Sequence, residues 1–183
     1  MEQPYSKSGT ARTAALARIA LGAALITVCA WITVPFAVPF TMQLFAVYFT
    51  AILLGGKSGT IAVAVYLLLG AIGIPVFSGG KGGFSALIGP TGGYLFGMLL
   101  IGGAYWLSTR LFGRKLPVEI LSLVIGTLLC YLLGTALFAA QSAQHGFFAA
   151  LSLCVLPFLL PDACKLAMAL VLGRRLRKAL LHT

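Results

Sequence analysis

Apolar residues in this chain come in long unbroken runs, without the alternation of a half-buried strand or the narrow stripe of a surface helix. The runs lie at residues 13–34, 42–55, 59–74, 91–112, 117–140 and 147–173. A helix needs roughly 20 apolar residues to cross a hydrocarbon core about 30 Å thick. Each run therefore predicts one crossing, with the short second and third runs tilted or partly re-entrant. Breaks separate them: two prolines between Val34 and Pro39, the turn Gly55-Gly56-Lys57-Ser58-Gly59, a basic turn from Arg110 to Pro117, and a polar one from Gln141 to Gly146. The last run is too long for one simple helix and contains Pro157 and Pro161. Proline suits the first turn of a helix, where its missing N–H is not needed. The final helix is thus expected to start near Pro161, leaving Phe147 to Leu160 as a separate short segment.

Composition turns this pattern into a membrane assignment. Hydrophobic residues make up 60% of the 183 and charged residues 9%, against roughly 25% charged in soluble domains. No soluble core of this size hides so much apolar surface, so the bilayer must solvate most of it. The expected fold is all-α: a polytopic membrane domain of six transmembrane helices over residues 13–178, with tails at 1–12 and 179–183. The net charge of +10 does not indicate nucleic acid, because the basic residues sit at the ends of apolar runs. With the N-terminus inside, the inner ends hold Lys7, Arg12, Arg18, Lys57, Arg110, Arg114, Lys115, Arg174, Arg175, Arg177 and Lys178, which is 11 of 13. That asymmetry predicts cytoplasmic N- and C-termini. Lys7, Arg12 and Arg18 around the start of the first run suit a signal peptide too, but no convincing cleavage site follows and a retained helix is expected.

The stretch from Gly73 to Gly92 falls on the outer side and differs from the rest. It reads GIPVFSGGKGGFSALIGPTG. A connection this long is usually functional or disordered, and this one is apolar enough to fold back as a lid or pocket-lining loop.

Chemistry is sparse. Gly56-Lys57-Ser58 looks like the tail of a phosphate-binding loop, but that motif needs a glycine where Ala51 stands. The Gly82-Gly83 and Gly92-Gly93 pairs lack the strand–helix unit of a dinucleotide site. The carboxylates are Glu2, Glu119 and Asp162, too few for paired acid–base catalysis. The cysteines, Cys29, Cys130, Cys154 and Cys164, form no C-x-x-C pair and read as buried thiols. No metal or other cofactor is expected. Asp162 and Lys165 stand out as an ionisable pair inside an apolar run. At i and i+3 they share one helix face, about 18 Å of rise before Arg174. Placing a charge at such depth costs roughly 2.5–3.5 kcal/mol on insertion scales. The pair either stabilises the bundle by mutual neutralisation or contacts a ligand, and intramembrane ionisable residues are functional by default. Gln43 and Tyr94 have polar groups suited to the same cavity. In the first helix Ala20 and Ala24 are spaced for close approach of another helix, within the chain or outside it.

Four segments carry a family resemblance: Val38 to Gln43 (VPFTMQ), Leu69 to Phe77 (LGAIGIPVF), Gly89 to Leu95 (GPTGGYL) and Leu160 to Lys165 (LPDACK). In this order and spacing the chain resembles the S component of biotin ECF transporters, the BioY family, from about Ala17 to the tail. The resemblance implies a six-helix protein of the inner (plasma) membrane that captures biotin from the outer side. It further implies assembly with a coupling transmembrane subunit and two ATPases, docking of the coupling subunit on the face of Ala20 and Ala24, and a polar binding pair at Asp162 and Lys165. The chemistry is compatible: a ureido ring has two N–H donors for Asp162 and one carbonyl for Lys165, while Phe77, Phe84 and Tyr94 suit packing on the bicyclic ring. Rival readings are an S component for another small vitamin, a structural membrane subunit, and an intramembrane lipid enzyme. The last lacks a nucleophile–base set, since His145 and His182 fall in a loop and a tail.

Overall fold

The computed structural model describes residues 7–35, 39–141 and 147–181, with side-chain detail from residue 11 to 179 outside the gaps. Expectations for Glu2, His145, His182 and the turn at 142–146 lie outside the described residues. The rest is a helical bundle: α1 (Lys7–Trp31), α2 (Gln43–Leu54), α3 (Gly56–Ala71), the short α4 (Phe84–Ile88), α5 (Gly92–Phe112), α6 (Leu116–Gln141), α7 (Phe147–Cys154) and α8 (Leu156–Leu181). Two residue pairs, Thr33–Val34 (β1) and Phe40–Thr41 (β2), form a small antiparallel ribbon across the proline-containing break.

Each helix except α4, which lies in the 73–92 segment, falls on one of the apolar runs. Four are long and apolar enough to cross a membrane: Ala11–Trp31, Gly92–Phe112, Leu116–Gln141 and Leu156–Ala179. The apolar helices α2 and α3 are shorter, at 12 and 16 residues, or about 18 and 24 Å of rise. Leucine, valine and phenylalanine side chains such as Leu21, Phe112, Leu121, Leu160 and Val171 point outward, as expected where lipid is the solvent. This is a helical membrane protein.

The start of α8 corrects one expectation. The break falls at Val155, and Pro161 lies inside the helix. Pro157 occupies the first turn, and the carbonyl of Val155 accepts from Phe158 N at 2.9 Å and Leu159 N at 3.2 Å. Pro161 comes one turn later, where its missing N–H removes a single ladder bond without ending the helix.

Packing relies on close backbone approach. The α5–α6 pair forms the largest helix contact. A Cβ on Gly97 would stand 2.7 Å from Cys130 Cα, and one on Gly126 would stand 2.7 Å from Ile101 Cα. The spacing Gly93-x-x-x-Gly97 thus brings the backbones together in the manner of small-residue membrane interfaces. The turn between α2 and α3 uses Gly55 at φ 89°, and Gly59 then packs on Ala51 Cα.

At the end of the bundle that carries most arginines, Glu119 is fully buried and ties three helices together. Its Oε1 accepts from Tyr105 of α5 at 2.8 Å and from Arg177 of α8 at 3.0 Å, and its Oε2 lies 3.1 Å from Arg174 Nη1. Arg177 also donates to the Ile52 carbonyl at 3.3 Å, within the last turn of α2, where carbonyls lack helical partners.

A branched side chain on Gly97 has no room unless α5 and α6 separate. Overpacking of this kind costs about 1–3 kcal/mol, which corresponds to roughly 3–10 °C in a chain of this size. Gly97→Val should lower the thermal midpoint of the purified protein by that amount, read by tyrosine fluorescence in detergent. Gly103→Val, where a Cβ meets nothing within 4 Å, should leave it within about 1–2 °C.

Candidate ligand-binding site

A cavity of about 540 Å³ opens at the opposite end of the bundle, enclosed by α2, α5, α6, α7, α8 and the 73–92 segment. Its size falls in the usual range for a small-molecule site, roughly 300–1,000 Å³. Five of the six residues singled out for ligand contact line it: Gln43, Phe77, Tyr94, Asp162 and Lys165. Phe84 does not. It is 64% exposed on the outside of α4, and Ala86 of that helix faces the cavity instead. Two glycines, Gly82 and Gly83, precede Phe84, and Gly83 takes φ 98°, which turns the start of α4 away from the cavity.

The polar centre sits where α8 meets α6. Asp162 and Lys165 are 5% and 3% exposed. Lys165 Nζ donates to Asp162 Oδ1 at 2.6 Å, and the Tyr131 hydroxyl of α6 donates to Oδ2 at 2.5 Å. The ammonium also lies 3.9 Å from the centroid of the Phe40 ring, close enough for cation–π attraction. Phe40 stacks at 6.1 Å on Phe158 of α8. Each carboxylate oxygen retains acceptor capacity, and the ammonium retains two further donors. The cluster thus presents acceptors and donors side by side to a cavity whose remaining walls mix apolar side chains with polar ones such as Gln43, Ser78 and Thr91.

Tyr131 and Phe40 were not evident from sequence as part of this centre. One signal existed for the first. Thr127, Tyr131 and Thr135 repeat every four residues along α6, a polar seam on an apolar helix. Each reaches a different helix: Thr127 bonds Tyr48 of α2 at 2.8 Å, Tyr131 bonds Asp162, and Thr135 bonds Tyr94 of α5 at 3.0 Å. Phe40 gave no such signal, because its role depends on the β1–β2 ribbon.

The other walls are held by defined contacts. The amide nitrogen of Gln43 donates to Tyr66 Oη at 2.9 Å and to Met98 Sδ at 3.1 Å, so the amide oxygen is the group left for a ligand. Phe77 is 3% exposed and meets Tyr66 edge-on at 5.5 Å, its ring lying on Gly70, where a side chain would collide with it.

The 73–92 segment is a structured wall. Phe77 N donates to the Lys81 carbonyl at 2.9 Å, closing a turn over Ser78–Gly80 in which Gly79 and Gly80 both have φ 70°. Gly83 N donates to the Gly70 carbonyl at 2.7 Å. The segment is fastened to the end of α1 by Trp31 Nε1 donating to the Pro75 carbonyl at 3.0 Å and by Thr33 Oγ1 meeting Ser78 Oγ at 3.0 Å. Phe77, Ser78, Lys81, Ala86, Pro90 and Thr91 face the cavity from it. By contrast, Ala20 and Ala24 lie on the exposed face of α1, away from the cavity, while Gly22 between them packs inward against Thr50 and Ala62.

The chain matches known proteins over nearly its whole length. The family model described as the BioY family matches residues 2–182. The biotin transporter BioY of Thermotoga maritima is 43% identical over 157 residues, covering 85% of this chain and 90% of that protein. The biotin transporter BioY2 of Lactococcus lactis is 38% identical, covering 92% of each. Among solved structures, the S-component for biotin from an ECF-type ABC transporter superposes with a TM-score of 0.83 at 27% identity, covering 96% of this chain and 95% of that one. A match over nearly the whole length, in sequence and in backbone, means that the chain belongs to the BioY family.

Proposed function

We propose that this protein is the substrate-binding membrane subunit of a biotin uptake transporter, and that biotin occupies the cavity at Asp162 and Lys165. It is a carrier subunit and not an enzyme. The observation that carries the reading is the buried Lys165–Asp162–Tyr131 cluster in a cavity of suitable size. A ureido group offers two N–H donors and one carbonyl acceptor along one edge. Asp162 suits the donors, and Lys165 suits the carbonyl. Tyr131 keeps the carboxylate oriented. Gln43, Phe77 and Tyr94 then pack on the rings and the valerate chain. Relatives named biotin transporters support the choice of biotin over another small vitamin, and the fitted polar cavity supports a carrier over a purely structural subunit.

In the membrane, the reading is a multi-pass protein of the inner (plasma) membrane. It has six crossings by α1, α2, α3, α5, α6 and α8, with the short α2 and α3 accommodated by tilt or local thinning. Both termini are cytoplasmic, and the cavity faces outward beneath the 73–92 segment. Transport uses a coupling transmembrane subunit docked on α1 at Ala20 and Ala24 and two ATPase subunits, since the chain carries no nucleotide-binding motif of its own.

Three outcomes follow. Asp162→Asn and Lys165→Ala should each weaken biotin binding to the purified protein at least tenfold while the protein still inserts and folds. Unchanged affinity in both contradicts the site. A biotin analogue methylated at both ureido nitrogens leaves the Asp162 carboxylate without those donors, and should bind about 5- to 100-fold more weakly on the roughly 1–3 kcal/mol scale of a lost buried partner. In a variant whose native cysteines are replaced, a membrane-impermeant maleimide applied to intact cells should label Lys81→Cys and not Lys178→Cys. The reverse pattern overturns the orientation.

A further inference from the structure

A second cleft, of about 610 Å³, lies at the arginine-rich end of the bundle between α1, α2 and α8. It is separate from the biotin cavity. Arg177, on its rim, follows Asp162 by fifteen residues on α8, or about 22 Å along the helix axis. Its floor and walls are apolar, formed by residues such as Leu25, Phe49 and Leu54, and its rim carries Arg18 of α1 and Arg177 of α8.

Two features set it apart from a packing defect. Thr50, which lines it, is 1% exposed, and its hydroxyl makes no hydrogen bond. A threonine in a helix ordinarily bonds the carbonyl one turn back, and a buried hydroxyl without any partner is unfavourable. The second feature is charge. Arg174 and Arg177 share one carboxylate, that of Glu119, and among the described residues Arg18 has no acidic partner. The rim therefore carries an excess of positive charge beside a buried polar atom with no partner.

We propose that this cleft binds an anionic phospholipid from the leaflet at the arginine-rich end of the bundle. The phosphate would lie between Arg18 and Arg177, a glycerol or ester oxygen would satisfy Thr50, and an acyl chain would lie along Leu25, Phe49 and Leu54. Guanidinium groups are suited to phosphate, since their planar fork donates to two oxygens at once. Basic pockets between transmembrane helices on the cytoplasmic side are a recurrent place for anionic headgroups. A partner helix fits less well, because its backbone oxygens are already bonded within the helix and only a carboxylate would answer the arginines. The site does not depend on what the other cavity binds.

The test uses the full chain purified in detergent, with phosphatidylglycerol or phosphatidylcholine added at equal concentration. Phosphatidylglycerol should raise the thermal midpoint by at least about 3 °C more than phosphatidylcholine does, as expected of a ligand that binds the folded state. Arg18→Gln and Thr50→Val should each remove half or more of that difference and leave biotin affinity unchanged. If the hydroxyl meets no lipid oxygen, Thr50→Val should instead be neutral or stabilising in both lipids, which overturns the assignment of Thr50. Should Thr50→Val fold poorly, Arg18→Gln carries the test, since its position is exposed. Equal shifts from the two lipids, or a phosphatidylglycerol effect untouched by Arg18→Gln, overturn the proposal. So does an unaltered lipid effect combined with loss of co-purification with a coupling subunit, which would make the cleft a protein-docking face. Loss of biotin binding in the unaltered chain would sink the functional reading and leave the lipid result standing.

Discussion

An ammonium and a carboxylate 2.6 Å apart, both almost wholly buried among apolar helices, set the main constraint on this molecule. Either one alone is unfavourable there. Each isolated charge at the centre of a membrane helix costs roughly 2.5–3.5 kcal/mol on insertion scales, and breaking a buried pair by removing one partner is strongly destabilising. The pair therefore has to be enclosed and supported. Tyr131 fixes the second carboxylate oxygen, the Phe40 ring faces the ammonium, and Phe158 backs Phe40. These contacts need α6 and the β1–β2 ribbon to stand where they do. That placement in turn relies on the close α5–α6 packing at Gly93, Gly97 and Gly126 and on the α2–α8 contact at Gly173 and Ile52.

The bundle has two polar ends with opposite designs. At the cavity end, one carboxylate serves one ammonium and one hydroxyl, and spare hydrogen-bonding capacity points into open space. At the other end, the buried Glu119 carboxylate accepts from Tyr105 and Arg177 on Oε1 and faces Arg174 with Oε2, closing α5, α6 and α8 together. The first arrangement suits a ligand that comes and goes, the second a fixed clasp.

Much of this was legible in the sequence, for physical reasons. Bilayer thickness forces long apolar runs, so α5 and α6 were visible to within one residue at each end and α1 was visible apart from a start six residues earlier, and glycine clusters marked the turn at Gly55 and the wall at 73–92. Asp162 and Lys165 were visible because charge inside an apolar run has few innocent explanations. What was not legible depends on distant pairing. Tyr131 looks like any tyrosine in a membrane helix until Asp162, 31 residues away, is seen beside it. Ala86 takes the place expected of Phe84 because the path of a glycine-rich segment is decided by bonds such as Gly83 to Gly70, which no local pattern encodes. Pro161 misled because a proline one turn into a helix and a proline at its start have the same local signature, and Pro157 had already taken the starting position. The Glu119 clasp was hidden by the same kind of long-range pairing.

The central claim is that the enclosed cavity, supported by its own helices, recognises biotin without help from partner subunits. Equilibrium binding of radiolabelled biotin to the purified chain in detergent, with unlabelled biotin as competitor, measures this directly. Saturable binding with one biotin per chain is the expected result. No saturable binding by a folded, monodisperse preparation would contradict it.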